Sequence, residues 1–267
     1  NFMQECKEIK PNAIYIVPKV LENVKNKVQI LNNPIIKHLL PLVLNRIFGN
    51  NLENIFMGGA KLDNNTKFFF DTYGIKICEG YGCSETSPII SVNHIDYPRD
   101  INSVGKILDN VKVEIVNNEI CVSGPNIMQG YWNDEKKTNE VIININNSKF
   151  YKTGDSGYIK DGFLYYNGRI SENYKMSNGK FVNVSNLESL LKNYIDTNFI
   201  VYGENLDKNI LLVEKPFNKS VINLINKKID RHLKIGDAII IESDVMQKYL
   251  TPKLSIKRNL LIKDFFK

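Results

Sequence analysis

Hydrophobic and polar positions fall into three successive patterns along the chain. In residues 13–78, short apolar runs alternate with stretches of helical spacing. Residues 13–17 (AIYIV), bounded by Pro11 and Pro18, read as a strand. Val20, Leu21, Val24, Val28 and Leu31 then recur every three or four positions, which places them on one face of a helix. Asn33-Pro34 opens a second helix reaching Phe48, because proline is tolerated in a first helical turn. Residues 53–57 and 75–78 are short strands followed by glycines, with a helix at 64–71 between them. Strand and helix in alternation predict an α/β sheet.

From Val104 to Asn167 strands dominate, at 112–116, 119–123, 158–159 and 163–166. Asn117-Asn118 and Asp161-Gly162 are hairpin-type turns between apolar runs. The Ile/Asn-rich stretch 142–147 reads as compositional bias. A polar stretch at Ser171, Glu172 and Asn173 marks a linker. Beyond it a helix (184–194), strands (198–202 and 210–213), a helix (220–233) and a strand (238–241) predict a small α+β unit. The expected domains are 1–170 and 171–267.

Composition narrows the classes. The 267 residues suggest about two domains at ~150 residues each. A hydrophobic fraction of 43% with 24% charged residues excludes a disordered chain. Lys plus Arg number 35 against 29 Asp plus Glu, a net charge of +6. The lysines are dispersed rather than gathered in the stripe a nucleic acid requires, so no nucleic-acid partner is expected. Attraction to anionic substrates or lipid remains open. Cys6, Cys78, Cys83 and Cys121 form no C-x-x-C and lie far from His38, His94 and His232. Neither a zinc site nor a disulfide framework is expected, and a reduced, cytoplasmic setting fits. No apolar run approaches the ~20 residues of a membrane span.

The strongest chemical signal is EGYGCSET at residues 79–86, after a strand and before an expected helix. Gly80 and Gly82 let backbone approach a ligand closely. Tyr81 offers a flat face to a base. Ser84 and Thr86 carry hydroxyls for phosphate oxygens, and Glu85 is a carboxylate for Mg²⁺. The segment lacks the G-x-S-x-G of a nucleophile elbow and the third glycine of a dinucleotide fingerprint. A purely structural Gly-rich turn is the alternative. YKTGD at 151–155 is the second signal. A carboxylate following a glycine turn can accept both ribose hydroxyls, and a polar turn between strands is the plainer reading. Gly168-Arg169 is the third: its guanidinium could reach ribose or phosphate, or form a surface ion pair.

Taken in order, these motifs and their flanks resemble adenylate-forming enzymes of the acyl-CoA synthetase type, closest to the long-chain fatty-acid branch. The likeness runs nearly end to end. It includes Lys10-Pro11 with Val17-Pro18-Lys19-Val20, Gly58-Gly59-Ala60, the 79–86 motif with Pro88, and Ser103-Val104-Gly105. GPNIMQGYW at 124–132, YKTGD, GRISENYKMSNGK at 168–180, and Leu250-Thr251-Pro252 with Lys257-Arg258 complete it. The resemblance implies the latter part of a large AMP-binding domain joined to a complete, mobile C-terminal domain. It implies ATP-dependent conversion of a fatty acid, through an acyl-adenylate, to an acyl-CoA. ATP, Mg²⁺ and coenzyme A are the implied cofactors and substrates. By the same resemblance Glu85 holds Mg²⁺ and Ser84 contacts the α-phosphate region. Tyr81 stacks on adenine within a motif that includes Glu79, Gly80 and Gly82. Asp155 binds ribose, and Arg169 supports ribose and phosphate. Gly58, Gly59 and Ala60 line the nucleotide and acyl pocket. Glu172 marks a hinge, Lys175 faces the site during thioester formation, and Ser177-Asn178-Gly179 lies at the coenzyme A tunnel. A cytoplasmic enzyme with peripheral membrane contact is the implied setting.

Two departures stand out. The family's Ser/Thr/Gly-rich phosphate loop has no counterpart in these 267 residues. Ser255 occupies the place of the family's adenylation lysine, flanked by Lys253 and Lys257, which an extended segment would put on its face. A non-catalytic relative that binds nucleotide, acyl-adenylate or coenzyme A is therefore an alternative. Another adenylate-former, such as a peptide-synthetase domain, is a further one, against which the LTP…KR ending and SNGK argue.

Overall fold

The computed structural model describes residues 2–29, 34–59, 62–94, 98–252 and 254–266. It divides into two compact units, Asn1–Tyr166 and Asn167–Lys267, and the division falls before the polar stretch at Ser171.

The first unit opens with α1 (Phe2–Ile9), β1 (Ala13–Ile16), α2 (Pro18–Gln29), α3 (Pro34–Ile47), β2 (Asn54–Met57), α4 (Asn64–Thr72) and β3 (Ile77–Tyr81). The three strands are parallel, with Ile16 opposite Met57 and Ile55 opposite Ile77. These residues share one sheet face, where they bury against Leu21, Val24, Leu44, Phe48 and Phe70 of the helical layer. Each such side chain contributes about 1.5–3 kcal/mol. Asp63 caps α4 by accepting the Thr66 N–H at 2.9 Å. Lys67 of α4 and Glu79 of β3 form an ion pair, both nearly inaccessible to solvent.

Downstream lie β4 (Ser91–Val92), β5 (Lys106–Ile107), β6 (Lys112–Val116), β7 (Glu119–Ser123), α5 (Glu135–Val141), β8 (Ile142–Ile145), β9 (Ser148–Lys160) and β10 (Phe163–Arg169). They extend the parallel strands into one mixed sheet of ten, in the order β1-β2-β3-β4-β5-β10-β9-β7-β6, with β8 on β9. The fold class is thus α/β, as expected. Both anticipated turns have two residues at positive φ, 51° and 66° at Asn117-Asn118 and 52° and 78° at Asp161-Gly162. Asparagine, aspartate and glycine tolerate that region best. Two expectations need correction. Residues 142–147 are not mere compositional bias: β8 pairs with β9 through a turn at Asn146 and Asn147, with φ of 48° and 63°. YKTGD is not a turn between strands but lies inside β9. Cys121 faces Lys152 and Glu119 faces Ser156, so β9 carries extra residues and bulges at Gly154, whose φ is 72°.

The second unit contains β11 (Tyr174–Lys175), β12 (Phe181–Val182), α6 (Val184–Leu191), β13 (Phe199–Tyr202), β14 (Asn209–Glu214), α7 (Ser220–Asn226), β15 (Ile235–Ile241), α8 (Ser243–Gln247) and α9 (Arg258–Phe265). β13, β14 and β15 make a three-stranded sheet. Its alternating side chains feed two cores: Val201, Leu211 and Val213 on one face, Ile200 and Leu212 on the other. The helix expected to reach Leu233 stops at Asn226, whose amide group donates to Ile235 O and accepts from Ile235 N, each at 2.8 Å. That pair of hydrogen bonds pins the helix end to β15. Arg258 is nearly buried, donates to Val201 O at 2.9 Å, and pairs with Glu188 and with Glu172.

Removing the cation leaves the half-buried Glu188 carboxyl without its counter-charge and the Val201 carbonyl without its guanidinium donor. Arg258→Ala is expected to cost about 3–5 kcal/mol in urea unfolding. Lys215→Ala, which breaks the exposed Lys215–Glu242 pair, is expected to cost under about 1 kcal/mol.

Candidate functional site

Open α/β sheets bind ligands beyond the C-terminal ends of their strands. Here those ends present Gly58 after β2 and Gly80-Tyr81 at the end of β3. A Cβ on Gly58 would lie 3.5 Å from the Gly80 carbonyl oxygen, so the two glycines are adjacent. Gly59, at φ 83°, is exposed, and Ala60 lies outside the described residues. Gly82 has a steric requirement: a Cβ there would sit 1.9 Å from the Pro88 carbonyl oxygen. Gly80 has none, its nearest neighbour being at 3.9 Å.

After Gly82 the chain makes one 3-10 turn, Ser84–Thr86, rather than the expected helix, and Ser87 leaves it at φ 51°. Thr86 is fully buried and its hydroxyl serves the backbone, donating to Cys83 O and accepting from Cys83 N, both at 3.0 Å. Ser84 stays exposed. Glu85 is fixed at both ends. Its carbonyl accepts from Met128 N at 2.9 Å, and its carboxylate accepts from the Tyr131 hydroxyl at 3.0 Å.

The β9 bulge brings the second motif to the first. Thr153 donates to Ile120 O at 2.8 Å and accepts from the Asp155 N–H at 3.1 Å. The Gly154 N–H donates to Glu119 Oε1 at 2.9 Å. So held, Asp155 is almost fully buried and accepts a 2.7 Å hydrogen bond from the Tyr81 hydroxyl. Tyr81 also packs beside Tyr166, with ring centroids 5.7 Å apart. Burial first, and then the Asp155 charge and hydrogen bond, hold the Tyr81 phenol far above its ordinary pKa. It therefore remains a donor throughout the neutral range. Burial likewise raises Cys83 and Tyr151, which interact beside Glu85.

Tyr81 and Asp155 thus meet, and Glu85, held by Tyr131, lies in the same unit. Glu79 differs from its motif neighbours: its carboxylate faces Lys67 and accepts from Leu62 N at 3.4 Å, an anchoring arrangement. Arg169, Lys175 and Gly179 belong to the second unit, all exposed. Lys175 stands opposite Phe181 on the two-stranded ribbon, and Gly179 takes φ 77° in its turn. The segment around Ser255 is not extended. Thr251 N donates to Ser255 O at 2.8 Å, Ser255 N donates to Thr251 Oγ1 at 3.1 Å, and Leu254 has φ 61°. A shared face for Lys257 and Ser255 does not follow, and Lys253 lies outside the described residues. Sequence reasoning missed Tyr131 and Tyr166 as neighbours of the motifs; the GYW run was visible but carried no role of its own.

Among the described residues no three His, Cys, Asp or Glu side chains form a ready cation cage. Glu85 offers a carboxylate of the kind that holds magnesium together with substrate phosphates.

The fold is that of an α/β protein with a candidate ligand site at the ends of a mixed sheet. Residues 1–132 match the model of the family described as AMP-binding enzyme, and the chain belongs to that family. It is 30% identical over 206 residues to the Dictyostelium discoideum protein named probable 4-coumarate–CoA ligase 3, covering 71% of this chain and 34% of that protein. It is 33% identical over 151 residues to long-chain-fatty-acid–CoA ligase FadD15 of Mycobacterium bovis, covering 56% of this chain and 24% of that protein. The chain thus spans about a quarter to a third of the length of these relatives. Its fold matches the A-PCP didomain of a Segniliparus rugosus carboxylic acid reductase solved with AMP. The TM-score is 0.80 at 17% identity, over 99% of this chain and 42% of that one.

Tyr81→Phe is expected to cost about 1 kcal/mol near neutral pH, read by urea unfolding. The pH dependence follows from the raised phenol. Above about pH 10 the unfolded tyrosine ionises while the folded one cannot, so stability falls as pH rises. The variant lacks this contribution and should lose stability less steeply between about pH 9 and 11.

Proposed function

We propose that this chain carries the adenine- and ribose-binding part of an adenylate-forming acyl-CoA ligase whose acid is a long-chain fatty acid. The observation that carries this reading is the pairing of Tyr81 with Asp155 at the ends of the parallel strands. It sets an aromatic face and an acceptor for ribose hydroxyls side by side. Family membership and the ligase names of the relatives support the reaction class.

In the first half-reaction a carboxylate oxygen attacks the α-phosphorus of ATP. The bond to the bridging oxygen breaks and pyrophosphate leaves. In the second, the coenzyme A sulfur attacks the acyl carbon, AMP departs with the bonding pair, and the thiol proton is released. The obstacle in the first step is like charge on nucleophile and phosphate. Glu85 would hold magnesium, which would supply neutralising charge there. Tyr81 and Gly82 orient the base, Asp155 orients the ribose, and Ser84 meets the phosphate region. By the resemblance, Arg169 is assigned to ribose and phosphate, Lys175 to the thioester-forming step, and Gly179 to the coenzyme A loop. The enzyme is cytoplasmic and touches membranes peripherally to reach its substrate.

An aromatic acid is the second reading, favoured by the coumarate ligase match at 30% identity over 71% of this chain. A non-catalytic relative is the third, favoured by Ser255 in the lysine position.

Pyrophosphate exchange by the intact protein separates the three. Exchange with a fatty acid is expected; exchange with 4-coumarate alone selects the second reading, and none with either selects the third. Asp155→Ala is expected to weaken AMP binding by about tenfold or more in titration calorimetry.

A further inference from the structure

The loop that follows β7 holds a tyrosine against the Glu85 carboxylate, and its surroundings are built to keep it there. Tyr131 Oη donates to Glu85 Oε1 at 3.0 Å. Its backbone is clamped from the next helix: the Tyr131 N–H donates to Thr138 Oγ1 at 2.9 Å, and Thr138 Oγ1 donates to Asp134 O at 2.9 Å. Asp134 caps α5 by accepting from Lys137 N at 2.9 Å. The Lys137 ammonium lies 4.4 Å from the centre of the Tyr131 ring. Gly130 permits the clamp, since a Cβ there would lie 2.8 Å from the Thr138 methyl carbon. The loop also holds the backbone beneath the carboxylate, through Met128 N on Glu85 O at 2.9 Å.

We propose that Tyr131 is a positioning residue for the magnesium-bearing carboxylate. By donating to Oε1, it restrains the orientation of the carboxylate that would meet the cation. A carboxylate that shares its cation with phosphates depends on such orientation, because ligands held by a second partner bind metal more tightly. The neighbouring α5 acts through this tyrosine, with Thr138 setting its backbone and Lys137 covering its ring. This inference rests on the role given to Glu85 above.

The test uses the intact protein with ATP and reads the unfolding midpoint, with EDTA and with Mg²⁺. The rise produced by ATP in EDTA reports the nucleotide alone; the further rise on adding Mg²⁺ reports the cation site. For Tyr131→Phe the rise in EDTA should equal that of the unaltered protein. The Mg²⁺ concentration giving half of the further rise should increase by about tenfold. Thr138→Val, which removes only the clamping hydroxyl, should shift it the same way by less, and it carries the test should Tyr131→Phe fail to fold. Glu85→Gln should abolish the Mg²⁺-dependent rise. An unchanged Mg²⁺ midpoint in Tyr131→Phe, with the response lost in Glu85→Gln, overturns the positioning role. So does equal loss of both rises in Tyr131→Phe, the mark of general structural damage. A full Mg²⁺ response in Glu85→Gln instead removes the reading of Glu85 on which the inference stands.

Discussion

The hydrogen bond from Tyr81 to Asp155 joins residues 74 positions apart, and the geometry of the first unit's site depends on it. Its donor sits at the end of a parallel strand and its acceptor on a bulge of an antiparallel one. The bond forms only because β9 carries extra residues at Gly154 and because β3 to β10 form one continuous sheet. Burial makes the arrangement self-reinforcing. A nearly buried carboxylate requires donors, and the buried phenol cannot ionise to compete with it. The aromatic ring and carboxylate are therefore organised together before any ligand arrives.

Buried charge also organises the scaffold. Lys67 and Glu79 tie α4 to β3, and Arg258 and Glu188 tie α9 to α6 in the second unit. Such pairs add little net stability over apolar residues of equal volume, but each charge accepts few other partners, which discourages alternative registers. Glu79 illustrates how a motif mixes roles. It stands two residues from Tyr81, yet its carboxylate pairs with Lys67 of α4 while Tyr81 reaches Asp155. Alternation along β3 puts Tyr81 on the same side as Glu79, and the strand end frees Tyr81 to reach Asp155.

Local signals were legible where local energetics dominate. Asn117-Asn118 and Asp161-Gly162 announce their turns because few residue pairs accept two positive φ angles in succession. The parallel strands and helices of the first unit follow from apolar periodicity. The failures had nonlocal causes. Residues 142–147 alternate Ile and Asn like a half-exposed strand, but only the partner β9 distinguishes that from biased composition. The helix from Ser220 ends at Asn226 because that side chain captures the backbone of Ile235, a partner invisible to helical spacing.

The sequence by itself determined the family, the α/β class and the residues of the two nucleotide motifs, since spacing and residue type are written in it directly. Tertiary structure alone decided which of those residues meet. It brought Tyr81 to Asp155 and Tyr131 to Glu85, gave Glu79 to Lys67, and turned Thr86 inward to the Cys83 backbone. The physical reason is that a polar side chain's role depends on the partner it finds once water is removed, and that partner is set by sheet order and register.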